Sequence, residues 1–254
     1  MRRRALVIVV CLSVIAAALV AAPVSAALSG SGARSGATAA ELPGSVLPRA
    51  PVEPRAALGS LWIGGDSMAY QIQFALKDKV ANAFHPKAFW LRGKSISGIV
   101  RIDFYNWPAK LKVEMPKLRP KAVVFMIGTN DGQAMPVKGG AYRFGTTPWK
   151  RVYRARVGSM MSTMLHNGVR RVYWIGMPIM RSGAFGRKMA LINSIFKAQA
   201  AAHPGVVYID AWRLFSSSSG GYVGAWRSGD GMHFNMTGVY RLVNAVIKTM
   251  HRDW

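Results

Sequence analysis

The sequence predicts a three-layer α/β/α domain with a central parallel sheet. Short apolar runs of strand length alternate with segments of helical length, and glycine or polar residues directly follow most of the runs. This alternation is typical of parallel strands whose two faces are covered by the connecting helices. Hydrophobic residues make up 51% of the chain, which is enough for a sizeable core and argues against a disordered protein.

The predicted elements follow in order along the chain. Four apolar runs are predicted to be buried strands, at residues 61–64, 122–127, 172–175 and 206–209. Four segments are predicted to be helices, at residues 67–79, 149–167, 187–202 and 239–250. Ligand sites in such sheets lie beyond the carboxyl ends of the strands, so the candidate functional residues are those that directly follow the runs, at 65–67, 128–131, 176–178 and 210.

The N-terminus has the pattern of an export signal. Three arginines precede an apolar run at residues 5–22, and the small residues Val24, Ser25 and Ala26 follow it. We predict a signal peptide at residues 1–26 and an exported protein. The apolar run is also long enough to span a bilayer, so an uncleaved anchor is the alternative, and it would be the protein's only membrane contact.

Two further regions follow the leader. Residues 27–57 are rich in alanine, glycine, serine and proline, without periodicity, and are predicted to be a flexible linker. Residues 58–254 are predicted to form the folded domain. The single cysteine, Cys11, lies in the leader, so the mature domain would contain no disulfide, zinc–thiolate site or cysteine nucleophile. We expect neither a metal nor another cofactor.

The chain is strongly basic. It has 34 lysines and arginines against 10 acidic residues, a formal net charge of +24, which becomes +21 without the three leader arginines. Such a charge favours anionic partners such as acidic extracellular polymers, although adaptation to acidic surroundings would give the same composition. The basic residues are spread along the whole chain and are not interleaved with aromatics, so nucleic-acid binding is not expected.

Ser67 is the candidate nucleophile. It follows the first predicted strand in the sequence Gly-Gly-Asp-Ser, at a strand-to-helix turn. A backbone N–H that opens a helix favours negative charge, which suits a serine that generates an oxyanion beside itself. Serine is also a common helix N-cap, and for this short motif alone capping is the simpler interpretation.

Asn130 is the candidate oxyanion donor. It lies in Gly-Thr-Asn-Asp at residues 128–131, directly after the most apolar predicted strand. An amide N–H aimed at a developing oxyanion lowers the barrier by roughly 3–4 kcal/mol. The alternative is a loop asparagine that satisfies backbone groups.

Asp230 and His233 are the candidate acid and base. They are three residues apart, directly before the last predicted helix, so one short turn can present both side chains. His233 would accept the serine proton, and Asp230 would orient the imidazole. None of the other four histidines has such an acid beside it within a matching motif, but a structural turn histidine is the alternative.

Two more acids lie beside the candidate residues, and both are expected to be supporting. Asp66 would order the turn before Ser67 by binding backbone N–H groups. Asp131 would fix the side chain of Asn130 or cap the segment that follows it. Asp210, after the last predicted strand, is expected to cap a helix.

In combination, these motifs resemble the ordered signature of the SGNH (GDSL-like) hydrolases, from about residue 60 to the end. The resemblance implies a flavodoxin-like fold with Ser67 as nucleophile and His233 and Asp230 as base and acid. It also implies an oxyanion hole formed by the Ser67 N–H, the Asn130 amide and a glycine N–H. Gly98 is the best match for that glycine, and Gly93 is the alternative.

A closer resemblance is to the bacterial DUF459 branch of this superfamily. Residues 97–108 (SGIVRIDFYNWP) are similar to its block SGL-x-R-x-D-[FY]-[FY]-x-W-P, and residues 128–133 and 174–178 fit the same branch. Ile99, Ile102 and Asn106 depart from the usual residues, and none of them is proposed to take part in the chemistry.

The expected function is that of an exported serine esterase. The expected substrate is a small acyl ester, such as O-acetyl, on an anionic extracellular glycan. A lipid esterase or thioesterase is also open. A transferase would use the same residues with a sugar hydroxyl in place of water, and a catalytically silent envelope-binding module would keep only the fold.

Overall fold

The computed structural model of the protein describes residues 56–254. The predicted signal peptide and the predicted linker up to residue 55 lie outside the described residues, and residues 56 and 57 carry no secondary structure. Among the described helices, none combines the length and the apolar content that a bilayer crossing requires.

Strands and helices alternate along most of the described chain, with one extra pair of short strands in the middle and successive helices at the end. In order, the elements are β1 (Ser60–Gly65), α1 (Ser67–Phe84), β2 (Ala88–Gly93), α2 (Trp107–Leu118), β3 (Ala122–Met126), β4 (Met135–Val137), β5 (Gly140–Tyr142), α3 (Thr147–His166), β6 (Arg171–Ile175), α4 (Gly183–Ala201), β7 (Val206–Ile209), α5 (Ala211–Leu214) and α6 (Met236–Met250).

Five of the strands form one parallel sheet in the order β2-β1-β3-β6-β7. Helix α1 packs against α6, whereas α2, α3 and α4 pack against one another in series. The strand order turns at β1, so consecutive parallel crossovers of one hand place these two groups of helices on opposite faces of the sheet. The predicted fold class, a three-layer α/β/α sandwich with a parallel sheet, is confirmed.

All four predicted strands are present, but the edge strand β2 was not predicted. Every residue of β2 is only half-buried, and its short apolar run at residues 88–91 was overlooked. Helix α2 was also missed, because Pro108 in its first turn and Pro116 near its end suggest a loop. The hairpin of β4 and β5 has only three residues in each strand and carries no periodic signal.

Several helices are longer than predicted. Helix α1 continues to Phe84, and α6 begins at Met236, where the Asn235 side chain accepts a hydrogen bond from the Gly238 N–H. Helix α4 begins at Gly183 because Ser182 caps it, and the glycines of its first turn obscured that start. Asp210 caps α5, as expected.

A cluster of aromatic side chains joins the sheet to α2. Trp62 of β1 stacks on Phe125 of β3 at a ring-centroid distance of 5.8 Å and meets Trp107 edge-on at 6.2 Å. The Trp62 indole N–H also donates to Glu114 of α2 at 2.9 Å, and Arg92 donates to the same carboxylate. These contacts fix α2 and therefore the end of the loop that connects it to β2.

Candidate active site

The carboxyl ends of β1 and β3 meet at one edge of the sheet, and Asp66 joins them. Its carboxylate is fully buried. Oδ1 accepts the Met68 N–H at 2.9 Å, and Oδ2 accepts the N–H groups of Gly128 and Thr129, each at 2.9 Å. Asp66 is therefore the N-cap of α1, so the alternative interpretation of Ser67 as that cap does not apply.

Burial raises the pKa of Asp66 to about 6, even though three backbone N–H groups favour the ionised form. The charge of the nearby Asp131 acts in the same direction as burial. Asp66 thus holds the turn before Ser67, and its contribution to the free energy of unfolding depends on pH.

Ser67, His233 and Asp230 form a continuous hydrogen-bonded chain. Ser67 Oγ lies 2.9 Å from His233 Nε2, and His233 Nδ1 lies 2.6 Å from Asp230 Oδ2. This is the arrangement in which a histidine can remove a proton from serine while a carboxylate holds the opposite ring nitrogen.

Asp230 also shapes the turn that carries the histidine. Its Oδ1 accepts the backbone N–H groups of Met232 and His233 at 2.8 and 3.0 Å. Partial burial alone would raise the pKa of Asp230, but the hydrogen bonds from the His233 ring and these two N–H groups lower it to about 2. The carboxylate is therefore ionised at any pH at which the fold is expected to work.

Gln71 joins the histidine segment to the helix that carries the serine. Its side chain donates to the Phe234 carbonyl at 3.2 Å and accepts the Phe234 N–H at 3.1 Å. Gln71 lies four residues after Ser67, on the same face of α1, so the two segments are held in register beside Ser67 and His233. The sequence reasoning missed this residue, although its i+4 spacing from Ser67 was a usable signal.

Arg227 also holds the segment that carries His233, and the sequence reasoning missed it. It is only 5% exposed, and it donates to the Met232 carbonyl at 2.7 Å and to the Ile179 carbonyl. Its guanidinium lies 4.9 Å from the ring of Phe215 and 5.0 Å from that of Phe234. Burial lowers the pKa of Arg227 to about 10. No sequence motif indicates an arginine that is held mainly by carbonyls and aromatic rings.

The structure brings the two remaining candidate oxyanion donors together. The Asn130 amide donates one hydrogen to the Ser97 carbonyl at 2.9 Å, which leaves its second hydrogen free. Within residues 56–254, the Gly98 N–H donates to no protein atom. A Cβ at position 98 would lie 3.6 Å from the Cβ of Asn130, so the two residues are direct neighbours.

The geometry favours Gly98 over Gly93 as the glycine donor. The Gly93 N–H is already bound to the Gln73 side chain at 3.0 Å. Gly93 is instead required for packing, because a Cβ there would lie 2.5 Å from the Cα of Tyr70.

Asp131 has a role different from either of the two expected. Its Oδ1 accepts the N–H groups of Ile99 and Val100 at 2.8 and 2.9 Å, and its Oδ2 accepts the hydroxyl of Tyr153 at 2.8 Å. It binds neither the side chain of Asn130 nor the N–H groups that follow it. Because the carboxylate is fully buried, its pKa is raised. Asp131 therefore holds the loop that presents Gly98, a contact between residues far apart in sequence.

A second serine–histidine contact lacks an acid. Ser162 Oγ lies 3.0 Å from His203 Nε2, but the other ring nitrogen of His203 contacts the Gln199 carbonyl. Among the described residues, no three histidine, cysteine or acidic side chains lie close enough together to hold a metal ion.

The sequence profile of DUF459, described as a protein of unknown function, matches residues 60–249. The chain belongs to the DUF459 family. The predicted resemblance to this branch is thereby confirmed. No curated protein matches the sequence at a significant level.

Solved structures resemble this DUF459 protein in fold. A GDSL-like lipase from Bacteroides thetaiotaomicron is 15% identical, with a TM-score of 0.58 over 77% of this chain and 89% of that one. A mutant acetyl-xylooligosaccharide esterase from Geobacillus stearothermophilus is 16% identical, with a TM-score of 0.58 over 78% and 98%. An α/β hydrolase from the metagenome of Lake Arreo, Spain, is 18% identical, with a TM-score of 0.59 over 77% and 96%. These similarities establish the SGNH-type fold.

Proposed function

We propose that this DUF459 protein is an exported serine esterase that removes small acyl groups, such as acetyl, from an anionic glycan of the cell envelope. The observation that carries the proposal is the hydrogen-bonded chain from Ser67 through His233 to Asp230. The fold shared with GDSL-like and acetyl-xylooligosaccharide esterases supports the same type of chemistry.

In the first half of the reaction, His233 Nε2 takes the proton from Ser67 Oγ as that oxygen attacks the ester carbonyl. The ionised Asp230 stabilises the imidazolium that forms. The oxyanion lies among the N–H groups of Ser67 and Gly98 and the free amide hydrogen of Asn130. The alcohol leaves with the proton from His233, and an acyl-serine remains.

In the second half, water replaces the alcohol. His233 removes a proton from the water as it attacks the acyl-serine, and then gives that proton to Ser67 Oγ as the bond between Oγ and the acyl carbon breaks and the carboxylic acid leaves. The side chains of His233 and Asp230 are 25% and 44% exposed, so water has access to the base. This exposure favours hydrolysis over transfer to a second alcohol, because a transferase must keep water away from its acyl-enzyme.

The net positive charge of the chain supports the proposal that the substrate is an anionic polymer. A net charge of +24, or +21 without the three leader arginines, raises the local concentration of a polyanion at the protein surface. Attraction of this kind acts over a Debye length of about 10 Å at 0.1 M salt and weakens as salt is added.

The proposal is tested by hydrolysis of p-nitrophenyl acetate and of two acetylated polysaccharides, one acidic and one neutral. We expect activity on all three that is lost in Ser67→Ala, and a preference for the acidic polymer that declines between 0.05 and 0.5 M NaCl. A folded protein with no activity above that of Ser67→Ala would refute the esterase proposal. Equal activity on both polymers at every salt concentration would refute only the anionic substrate.

A further inference from the structure

A cleft of about 240 Å³ adjoins the candidate oxyanion donor Asn130. The side chains of Ile96, Arg101, Phe104 and Gln133 form its other walls. Asn130 lines this cleft and is also a proposed oxyanion donor. A group bound in the cleft therefore lies next to the reacting ester. We infer that this cleft binds the sugar ring that carries the acyl group, an inference that rests on the proposed function.

The apolar part of the lining is unusually open to solvent. Phe104 is 53% exposed and Ile96 is 73% exposed, although both are large hydrophobic residues. Exposed apolar side chains gathered beside a site are typical of ligand-binding surfaces. The flat ring of Phe104 can pack against the C–H face of a sugar, which is its apolar side.

The backbone at Ile96 supports a binding role. Its φ is 65°, in the left-handed region that a β-branched residue rarely adopts. The neighbouring Ser97 side chain holds this conformation, because its hydroxyl donates to the Lys94 carbonyl and accepts from the indole of Trp107. Backbone strain of this kind, at a residue whose side chain is exposed, is characteristic of functional sites.

The polar part of the lining favours hydroxyl groups over a free carboxylate or an acyl chain. Arg101 is already paired with Asp103, at 2.9 Å through Nε and 2.7 Å through Nη2. The pair is neutral as a unit, but it presents donors and acceptors side by side, as a hydroxyl requires. The side-chain oxygens of Gln133 and Asn130 add further acceptors, whereas a fatty acyl chain would offer none of these groups a hydrogen bond.

The size of the cleft limits the ligand. Pockets that enclose drug-sized ligands have volumes of about 300–1,000 Å³. A cleft of about 240 Å³ therefore holds one ring, and the rest of a polymer would extend over the basic surface.

The test compares Phe104→Ala with Tyr240→Ala. The second variant is a matched control, because it also removes an exposed aromatic ring, but from α6 and outside the cleft. Three substrates are used: an acetylated monosaccharide, ethyl acetate, whose alcohol is too small to fill the cleft, and ethyl octanoate. We expect Phe104→Ala to lower kcat/KM for the sugar acetate at least tenfold relative to ethyl acetate, mainly through KM. Tyr240→Ala should leave that ratio unchanged.

Binding is measured separately, so that the inference can fail or stand independently of the esterase activity. Titration calorimetry follows the acetylated monosaccharide binding to Ser67→Ala, with and without Phe104→Ala. At least tenfold weaker binding in the double variant supports the sugar cleft even if no hydrolysis is found. Unchanged affinity, no binding to Ser67→Ala, or a selective loss of ethyl octanoate hydrolysis in Phe104→Ala would overturn it.

Discussion

Replacement of Tyr153 by phenylalanine tests whether Asp131 holds the loop that contains Gly98. The hydroxyl is fully buried and donates to Asp131 Oδ2 at 2.8 Å, and Tyr153→Phe removes that donor without changing the shape of the ring. Hydrogen bonds to charged groups contribute about 1.5–3 kcal/mol, and a buried acceptor left without a partner costs a similar amount. We expect the free energy of unfolding to fall by about 2–3 kcal/mol.

For a domain of this size, 1 kcal/mol corresponds to about 2–4 °C in Tm. Thermal unfolding followed by circular dichroism should therefore show a decrease of about 4–12 °C in Tyr153→Phe. The control is Tyr240→Phe, whose ring is exposed and whose Tm should not change. A Tm within 1 °C of the wild type in Tyr153→Phe would refute the role assigned to Asp131, because its buried carboxylate would then not depend on this donor.

Three further predictions concern the site. Gln71→Met should lower kcat at least tenfold with little change in KM, because the clamp on Phe234 aligns the base and does not touch substrate; steady-state kinetics that show an effect on KM alone would contradict this. Gly98→Ala should lower both activity and Tm, since the new Cβ would lie 2.3 Å from Asp131 Oδ1, and an active, fully stable variant would contradict the proposed loop geometry. Asp66 has a folded-state pKa raised from 3.8 to about 6, so its stabilising contribution is present below pH 3.8 and is lost as the pH rises through 6, a change of about 3 kcal/mol. The Tm of the wild type relative to Asp66→Asn should therefore fall between pH 4 and pH 7, and a constant or rising difference would show that the carboxyl is not protonated in this range.

The sequence alone determined the fold class and the residues proposed for the chemistry. Strands β1, β3, β6 and β7 were predictable because each contains a short, nearly continuous apolar run. The proposed catalytic residues follow the ends of such runs or directly precede the last helix, in short motifs that a single sequence displays. Helix α2 could not be predicted, because two prolines interrupt its helical pattern, whereas the apolar run of β2 at residues 88–91 was a usable signal.

Only the tertiary structure decided how the candidate site is supported. Gln71 contacts Phe234 across 163 residues of sequence, and Asp131 reaches back about 31 residues to the loop of Gly98. The preference for Gly98 over Gly93, which the motif match already suggested, was strengthened by the hydrogen-bond partner of the Gly93 N–H. Contacts of this kind depend on how elements remote in sequence pack together, and local pattern and propensity contain no information about that packing.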